Sequence, residues 1–574
     1  MEEKCSTFSL RKLSSRLMQM VIVTAFLLVN CLPAMAQSNT KVKGVITSGA
    51  DGLPLIGVNV VEKGTTNGTV TDFDGNFELT VSSNAVLDIS YIGFLSQEVK
   101  IVAGKTTYNV VLKEDSQALD EVVVVGYGVQ KKKLVTGATV QVSGDNLQKL
   151  STTNALGALQ SQSPGVNITQ SSGQPGEGFK VVIRGLGTVG SSGPLYVIDG
   201  VAGGDINALN PSDIESIDVL KDAASAAIYG ARAANGVVLV TTKQGKAGKL
   251  QLSYDGYYGA QYLAKLPPLL NAREYMSMMD ETRYNEASPG YDWPNLLPTD
   301  LYNSIMDGSW QGTNWIKETY NEAAPTQNHS FNLAGGTEQS KFSMGFSYTS
   351  QEGILGKPVQ SQFDRYTARI NSDHVLLKVK DFDAIKIGET LNFNYNTKSG
   401  IAIGNIYGNS IHNMLIGNPL LPAYDAEGNF YDYDDKVNNG WNFDGNTGNP
   451  LAGTALSNWG LNLSKNYALQ SSAYLEIQPI KNLVFRSQFG YKMTASSYRS
   501  YDGIRHLSNN TNVTMDNVYQ SASSGHNITL DNTIAYKFNV ADLHQFDVVV
   551  GQSVEKWGMG SNINASGNNS IFEG

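Results

Sequence analysis

Cysteine is nearly missing from this chain: two in 574 residues, Cys5 and Cys31. Both lie at the very start, so the rest of the chain has no disulfide framework, no thiol chemistry and no cysteine-based metal site. Histidine is scarce too, six residues scattered singly, which argues against a histidine-rich metal cluster. Positive charge is in deficit, with a formal net charge of −10, and that disfavours a nucleic-acid partner. After residue 36 no apolar run approaches the roughly 20 residues a spanning helix needs. If this chain crosses a membrane, it does so with strands closed into a barrel.

What is present begins with a secretion signal. Lys4, Arg11, Lys12 and Arg16 precede an apolar stretch from Met18 to Val29, and Ala34-Met35-Ala36 supplies a small-x-small cleavage site. Cys31 offers a lipidation alternative, but Asn30 fits poorly where a small residue is wanted. Residues 1–36 are therefore read as a signal peptide removed after Ala36.

Residues 41–113 are dense in Val, Ile, Thr and Gly. VKGVITS, IGVNVVEKG, NFELTV, VLDISYIGF and YNVVLK read as short strands separated by turns, the pattern of a small β-sandwich. Asp72-Phe73-Asp74-Gly75 lacks the later ligands of a calcium loop and reads as a hairpin turn. The segment 114–135 is a linker around ALDEVVVVGYG, four valines framed by acidic and glycine-rich chain. Such β-branched runs usually lie inside a sheet. This one is either a buried strand or a strand kept for another protein.

Residues 136–246 mix short helices and strands. Thr152 or Thr153 can cap a helix over 154–160; VNIT, FKVVIR, PLYVID, IESIDVL and GVVLVTTK follow as strands, and Asp222 is placed to cap a short alanine-rich helix ending near Gly230. Gly185-Leu186-Gly187-Thr188-Val189-Gly190 matches G-x-G-x-x-G literally. A dinucleotide site needs a helix straight after it, and here Pro194 and the strand Leu195–Asp199 follow instead. The glycines read as a loop between strands.

From residue 249 the grammar changes. Phe342, Met344, Phe346 and Tyr348 alternate with Ser343, Gly345 and Ser347; Leu391, Phe393 and Tyr395 alternate with Asn392 and Asn394. Leu483, Phe485 and Phe489 oppose Arg486 and Gln488, and Ile534, Tyr536 and Phe538 repeat the pattern. One apolar face, one face of small and amide residues, and tight turns alternating with long connections predict transmembrane β-strands. The spans 262–327 and 398–466 read as long polar loops, with a helix over 271–287. About nine or ten such strands fit in 249–574, against the roughly 22 of large plugged barrels. The expectation is the first part of a barrel, truncated.

Three motifs in order carry a family resemblance: Asp120–Gly128; Val182-Ile183-Arg184-Gly185 with Pro194-Leu195-Tyr196-Val197-Ile198-Asp199-Gly200; and Ile217 to Ala223 continuing to Tyr229-Gly230-Ala231-Arg232-Ala233-Ala234-Asn235-Gly236. With the signal and a first domain that resembles carboxypeptidase-D regulatory-like domains, the chain resembles SusC/RagA-type TonB-linked outer-membrane proteins. The resemblance implies a mainly β protein: a small sandwich, an α+β plug and antiparallel barrel strands. It implies import of a large nutrient, an oligosaccharide or peptide, across the outer membrane, with the sandwich and plug facing the periplasm. It implies TonB as a partner, gripping a TonB box at Asp120, Glu121, Val122, Val123, Val124, Val125, Gly126 and Tyr127 by strand addition. A SusD-like surface lipoprotein is the implied lid.

On the same resemblance Arg184, Gly185, Asp199, Gly200, Tyr229, Gly230, Arg232, Asn235 and Gly236 are structural plug residues, with Arg184 and Arg232 expected in internal or plug-to-barrel ion pairs. Trp310, Trp315, Tyr431, Tyr433 and Trp441 can stack on sugars or equally pack the loops and the lipoprotein interface. Asp432, Asp434 and Asp435 read as a solvated acidic turn rather than a calcium site. No nucleophile–base pair or paired carboxylate stands out, so neither an enzyme nor a cofactor or metal is expected. Two alternatives fit the same residues: a receptor or signal transducer on this scaffold, and a soluble secreted β-rich binding protein.

Overall fold

The computed structural model describes residues 39–570 apart from 50–51, 66, 83–84, 92–93, 103, 114–121, 126–127, 132–138, 151, 161, 171, 223–225, 407, 458–461 and 541–543. The expected signal peptide lies outside the described residues. The chain divides into two units, one running to Val122 with Lys131–Lys133, the other comprising Val123–Gln130 and Leu134 onward.

The first unit follows its alternation of apolar and polar residues. Its strands are β1 (Asn39–Ser48), β2 (Asn59–Glu62), β3 (Gly68–Val70), β4 (Asn76–Ser82), β5 (Val86–Ser90), β6 (Gln97–Lys100) and β7 (Val110–Leu112). They form two sheets, ordered β4-β1-β7 and β3-β2-β5-β6. In β4, Phe77, Leu79 and Val81 are buried while Asn76, Glu78 and Thr80 are exposed, as a two-residue period requires. They join Val42, Ile46, Val60, Leu87, Ile89 and Leu112 in one core. Gly44 lets β1 approach the returning chain, since a Cβ there would stand 1.7 Å from the Tyr108 carbonyl oxygen. The Asp72 turn is a hairpin turn: its carboxylate accepts from the amides of Asp74 (3.0 Å) and Asn76 (2.8 Å).

The valines form β8 (Val122–Val125), paired with β9 (Gly128–Lys131) as a two-stranded sheet. The plug follows, with β10 (Thr139–Ser143), β11 (Val166–Gln170), β12 (Phe179–Ile183), β13 (Leu195–Ile198), β14 (Val201–Ala202), β15 (Ile214–Leu220) and β16 (Val237–Thr242). Five of them make a mixed sheet, β10-β15-β16-β13-β14, while β11 and β12 pair separately. Val237, Val238, Leu239 and Val240 are all buried in central β16, which is why that run is apolar without alternation. Asn154, rather than Thr152 or Thr153, caps the helix Ala155–Leu159, its side chain accepting from the Leu156 amide at 2.8 Å. Of the expected alanine-rich helix, residues 223–225 lie outside the described residues; Ala226 donates to the Asp222 carbonyl at 3.2 Å, and the chain runs on as a 3-10 segment, Ala227–Ala233, broken at Gly230, where φ is 65° and ψ −156°. A left-handed glycine cannot continue a right-handed helix.

Nine long strands form one antiparallel wall: β17 (Gly248–Gln261), β18 (Ala324–Gly336), β19 (Ser340–Glu352), β20 (Gln362–Val379), β21 (Phe382–Ser399), β22 (Leu463–Ile480), β23 (Leu483–Asp502), β26 (Asn517–Val540) and β27 (His544–Asn568). A small hairpin, β24 (Arg505–Ser508) and β25 (Thr511–Val513), interrupts the order within one connection. Turns at one rim are short, as between Val379 and Phe382 or Ile480 and Leu483, and the other rim carries the long segments. The wall's two faces differ as the sequence predicts. Phe346 is 51% and Phe489 47% exposed, whereas Ser347 is 0% and Arg369 1% exposed. The apolar face points away from the plug, and the polar face is buried against it.

On the apolar face Tyr348, Tyr366, Tyr395 and Tyr467 sit directly opposite one another on four neighbouring strands. Their ring centroids are 4.9, 6.2 and 4.7 Å apart, an aromatic row of the kind that lines a membrane interface. Among the described residues no helix is long and apolar enough to cross a membrane.

The long segments differ from the expected open loops. They fold together as a helical cap with an apolar core that includes Met276, Trp293, Ile305, Trp315, Met414, Leu421, Trp441 and Phe443. The expected helix over 271–287 is Ala272–Asn285, begun by a reciprocal capping box between Asn271 and Glu274. Lys436 is buried in this cap, with its ammonium donating to the carbonyls of Thr447 (2.5 Å) and Leu507 (3.0 Å). Burial lowers its pKa from the ordinary lysine value.

Candidate functional site

The site is assembled where the plug meets the polar face of the wall. Strand β20 alternates, so Arg365, Thr367, Arg369 and Asn371 all turn inward and are buried, while Tyr366 and Ile370 face outward. Arg369 meets Asp213 of the plug, its Nε 3.2 Å from Oδ1, both side chains almost fully buried. The rest of its fork donates to Ser343 Oγ (3.0 Å), Asn332 Oδ1 (3.0 Å) and the Lys243 carbonyl. A buried ion pair loses its hydration, and hydrogen bonds of this kind offset that cost. Four residues earlier on the same face, Arg365 donates to the carbonyls of Asn207 (2.9 Å) and Thr153 (2.7 Å).

Uncharged contacts widen this seam. Asn210 Nδ2 donates to Asn328 Oδ1 at 2.8 Å, Ser212 Oγ donates to Ser330 Oγ at 2.6 Å, and Asn371 Nδ2 donates to Thr242 Oγ1 at 2.7 Å. Lys243, beside Asp213 and Arg369, has its pKa lowered by burial. The plug loop 205–213 and the end of β16 are thus pinned to β18, β19 and β20.

The plug's other side is held more lightly. Gln470 Nε2 donates to the Ile198 carbonyl (3.0 Å) and Gln488 Nε2 to the Asp199 carbonyl (3.3 Å). Arg232 makes a two-pronged pair with Glu555 of β27, 2.7 Å on each prong, and its guanidinium lies 5.2 Å from the Trp557 ring centroid. Its side chain remains 39% exposed.

The expected plug residues fall into place around this seam. Asp199 and Gly200 form the tight connection from β13 to β14, with φ of 48° and 82°. The Asp199 carboxylate accepts from the Thr242 amide and hydroxyl, both at 2.9 Å, and from Asn392 of the wall at 3.3 Å. Desolvation of that carboxylate raises its pKa above the ordinary aspartate value. Tyr229 is buried with Leu220, Val237 and Leu239, and Asn235 Nδ2 donates to the Ser191 carbonyl at 2.9 Å. Gly236 abuts Ile183, whose Cδ1 would stand 2.7 Å from an added Cβ. Arg184 and Gly185 make the left-handed turn after β12, with φ of 56° and 97°.

Asp120, Glu121, Gly126 and Tyr127 lie outside the described residues. Val122, Val123, Val124 and Val125 form β8, whose partner in this structure is the chain's own β9. Trp315, Tyr431 and Trp441 are buried in the cap core, and Trp310 packs against it. Trp315 Nε1 donates to the Asn418 carbonyl at 3.0 Å. The buried rings of Trp315, Tyr431 and Trp441 pack the cap. Tyr433 stacks on His506 at 4.0 Å. Asp432 and Asp435 are a capping box for the helix Tyr433–Asn438, and burial raises the pKa of Asp435.

Between plug and wall, toward the rim of the long segments, lies a cavity of about 600 Å³. The plug contributes Asn154, Gln160, Gln170, Glu177, Phe179 and Asn207, and the wall Gln261, Gln351, Arg365, Asn394, Asn396 and Asn466. The sequence singles out neither Asp213, Arg365 and Arg369 nor these amides as a site, although Asn394 stands in it as a polar-face residue of an alternating strand. One signal was available: Arg365 and Arg369 stand on the face of a barrel strand opposite Tyr366 and Ile370, where charge has to meet something polar inside.

Comparison with known proteins matches these parts. Residues 131–237 match the TonB-dependent receptor plug domain, and residues 42–124 match the CarboxypepD_reg-like domain. TonB-dependent receptor P39 of Formosa agariphila is 32% identical over 543 residues, covering 93% of this chain and 48% of that protein. TonB-dependent receptor SusC of Bacteroides thetaiotaomicron is 35% identical over 433 residues, covering 72% of this chain and 38% of that protein. The solved structure of the RagAB peptide importer in its open-open state is 25% identical with a TM-score of 0.65, covering 78% of this chain and 50% of that one. The chain spans about half the length, or less, of these relatives. By name these relatives are TonB-dependent receptors and a peptide importer. The chain belongs to the SusC/RagA-type family of TonB-dependent receptors.

Proposed function

We propose that this protein serves TonB-dependent import of a large nutrient, an oligosaccharide or peptide, through the outer membrane. The observation that carries the reading is a plug pinned by buried polar contacts inside a wall whose other face is apolar. Such a plug closes a passage and yields only to force. The outer membrane has no nucleotide supply to provide that force, so it has to arrive mechanically through an extended handle. The stretch Asp120–Tyr127 fits that role: valines favour an extended backbone, and strand addition to TonB's sheet supplies the grip. On this reading the sandwich and plug face the periplasm, the helical cap faces outward, and a SusD-like surface lipoprotein closes over it.

Deleting residues 120–127 tests the reading. The expected result is normal assembly in the outer membrane with uptake abolished. Loss of assembly would mark the valine strand as part of the fold, and unchanged uptake would remove TonB coupling from the mechanism.

A further inference from the structure

We propose that the outward face of β22 and β23 holds a phosphate-bearing glycolipid of the outer leaflet, gripped by Lys465 and Arg499. This rests on the importer reading in one respect, that the helical cap is the end facing out of the cell. Two observations carry it: the height of these two cations on the wall, and their lack of any partner within the protein.

Alternation fixes the face. Asn466, Ala468, Thr494 and Ser496 line the inner cavity, so Lys465, Tyr467, Ser497 and Arg499 turn to the apolar outer face. Tyr467 belongs to the tyrosine row, and Lys465 is the next outward residue beyond it toward the cap. With the tilt of barrel strands that step is about 5 Å of height, and Arg499, one outward step further, stands about 10 Å above the row. Aromatic rows lie where hydrocarbon meets headgroups, so both cations fall among the headgroups. Lys465 is opposite Ser497 and Arg499 is opposite Leu463. Diagonal neighbours of this kind are about 7 Å apart, close enough for two long side chains to converge on one group.

Both residues are exposed, and among the described residues neither side chain has an ion pair or a hydrogen bond. The acids of the same two strands are engaged elsewhere, Glu476 with Arg486 and Asp502 with Arg505. Asp516, just before β26, accepts from the Ser570 amide at 3.1 Å and the Tyr501 hydroxyl at 3.5 Å. The flanking outward positions, Thr397, Ser399 and Gln520, add hydrogen-bond donors and no negative charge. Asp364, an outward acid above the row, stands apart on β20 and accepts from Tyr348 (2.9 Å) and Gln362 (2.8 Å). The patch lies within the wall, with β21 and β26 paired on either side, so its exposure is not that of a free sheet edge. Two unpaired cations at a lipid boundary call for an anion from the lipid. A guanidinium grips a phosphate through two parallel hydrogen bonds, and an ammonium adds a compact charge beside it.

The test uses the full chain in detergent micelles, with bound lipid counted by native mass spectrometry. The probes are bisphosphorylated lipid A, the same lipid A dephosphorylated, phosphatidylglycerol and inorganic phosphate. The expected result is a single lipid A per chain, held about tenfold or more tightly than the dephosphorylated form or phosphatidylglycerol. Lys465→Ala and Arg499→Ala should each weaken it roughly tenfold, the loss of one charge-assisted hydrogen bond. Affinity should fall as ammonium acetate rises from about 50 to about 500 mM. Lys481→Ala, at the opposite rim beside Asp381, should change nothing, and protease protection of the plug should hold in all three variants. Equal binding of dephosphorylated lipid A, or equal binding by the two cation variants, would overturn the proposal. Displacement by inorganic phosphate at equal concentration would replace the lipid with a free anion and overturn it too. So would a double variant that keeps lipid A but loses a co-purifying surface lipoprotein, since the patch would then belong to the lid. Proteinase K on intact cells reads the orientation separately. A cleaved cap without lipid A binding sinks the proposal alone, whereas a protected cap sinks the outward orientation and the proposal with it.

Discussion

The two flanks of the plug are held by different chemistry. Toward β18–β20 the contacts are buried, charged and multiply hydrogen-bonded, centred on Asp213 and Arg369. Toward β27 the described ion pair is Arg232 with Glu555, well aligned but partly open to solvent. Charge in a dry seam is expensive to separate, and charge at a wet edge is not. A force applied to this plug therefore meets one flank that resists and one that gives. The loop 205–213 and the end of β16 should stay in place while the segment carrying Arg232 parts first.

The comparison breaks most sharply at Arg369. Arg369→Ala leaves Asp213 buried without its partner, and the expected loss is about 3–5 kcal/mol of plug stability. Urea-induced loss of protease protection measures it; a shift as small as that of a surface pair would mean the seam is hydrated. Asp199→Asn sharpens the picture at the middle of the plug. The raised pKa of Asp199 means that the folded plug binds its proton more tightly than the unfolded chain does. Stability from this group is therefore present at low pH and falls as pH rises from the ordinary value of 3.8 through the raised one. Thermal denaturation from pH 4 to 8 should show this fall in the wild type and a flatter profile in Asp199→Asn. The smallest effect is expected at the wet edge, where Glu555→Ala should cost about 1 kcal/mol or less and lose most of that cost in high salt. An effect equal to that of Arg369→Ala would erase the distinction between the flanks.

Much of the fold was legible because strands advertise themselves by alternation. The sandwich turn at Asp72, the apolar run of β16 and the two-faced strands such as β19 follow from local patterns. The cap was not legible. Its core draws Trp293, Trp315, Met414 and Trp441 from two segments separated by the four strands β18 to β21, and no local period announces such a meeting. The candidate site was half visible. The plug turns at Asp199-Gly200 and Gly236 stand out as motifs, but the partner of Arg369 is 156 residues away, and single-strand alternation says only that something polar faces it. The amide contacts lining the cavity were hidden for the same reason, since Asn466 donates to Asn396 of the neighbouring strand and Asn394 to the Ala208 carbonyl of the plug. The valines raised the question of which sheet they join. In this structure they pair with β9.

The row of tyrosines on the outer face acts as a depth gauge. Tyr395 and Tyr467 are the immediate neighbours of Asn394, Asn396 and Asn466 along their strands, so these cavity-lining amides lie at the same height on the inner face. Aromatic rows of this kind settle where hydrocarbon gives way to headgroups. The cavity those amides line would then lie level with the lipid headgroups.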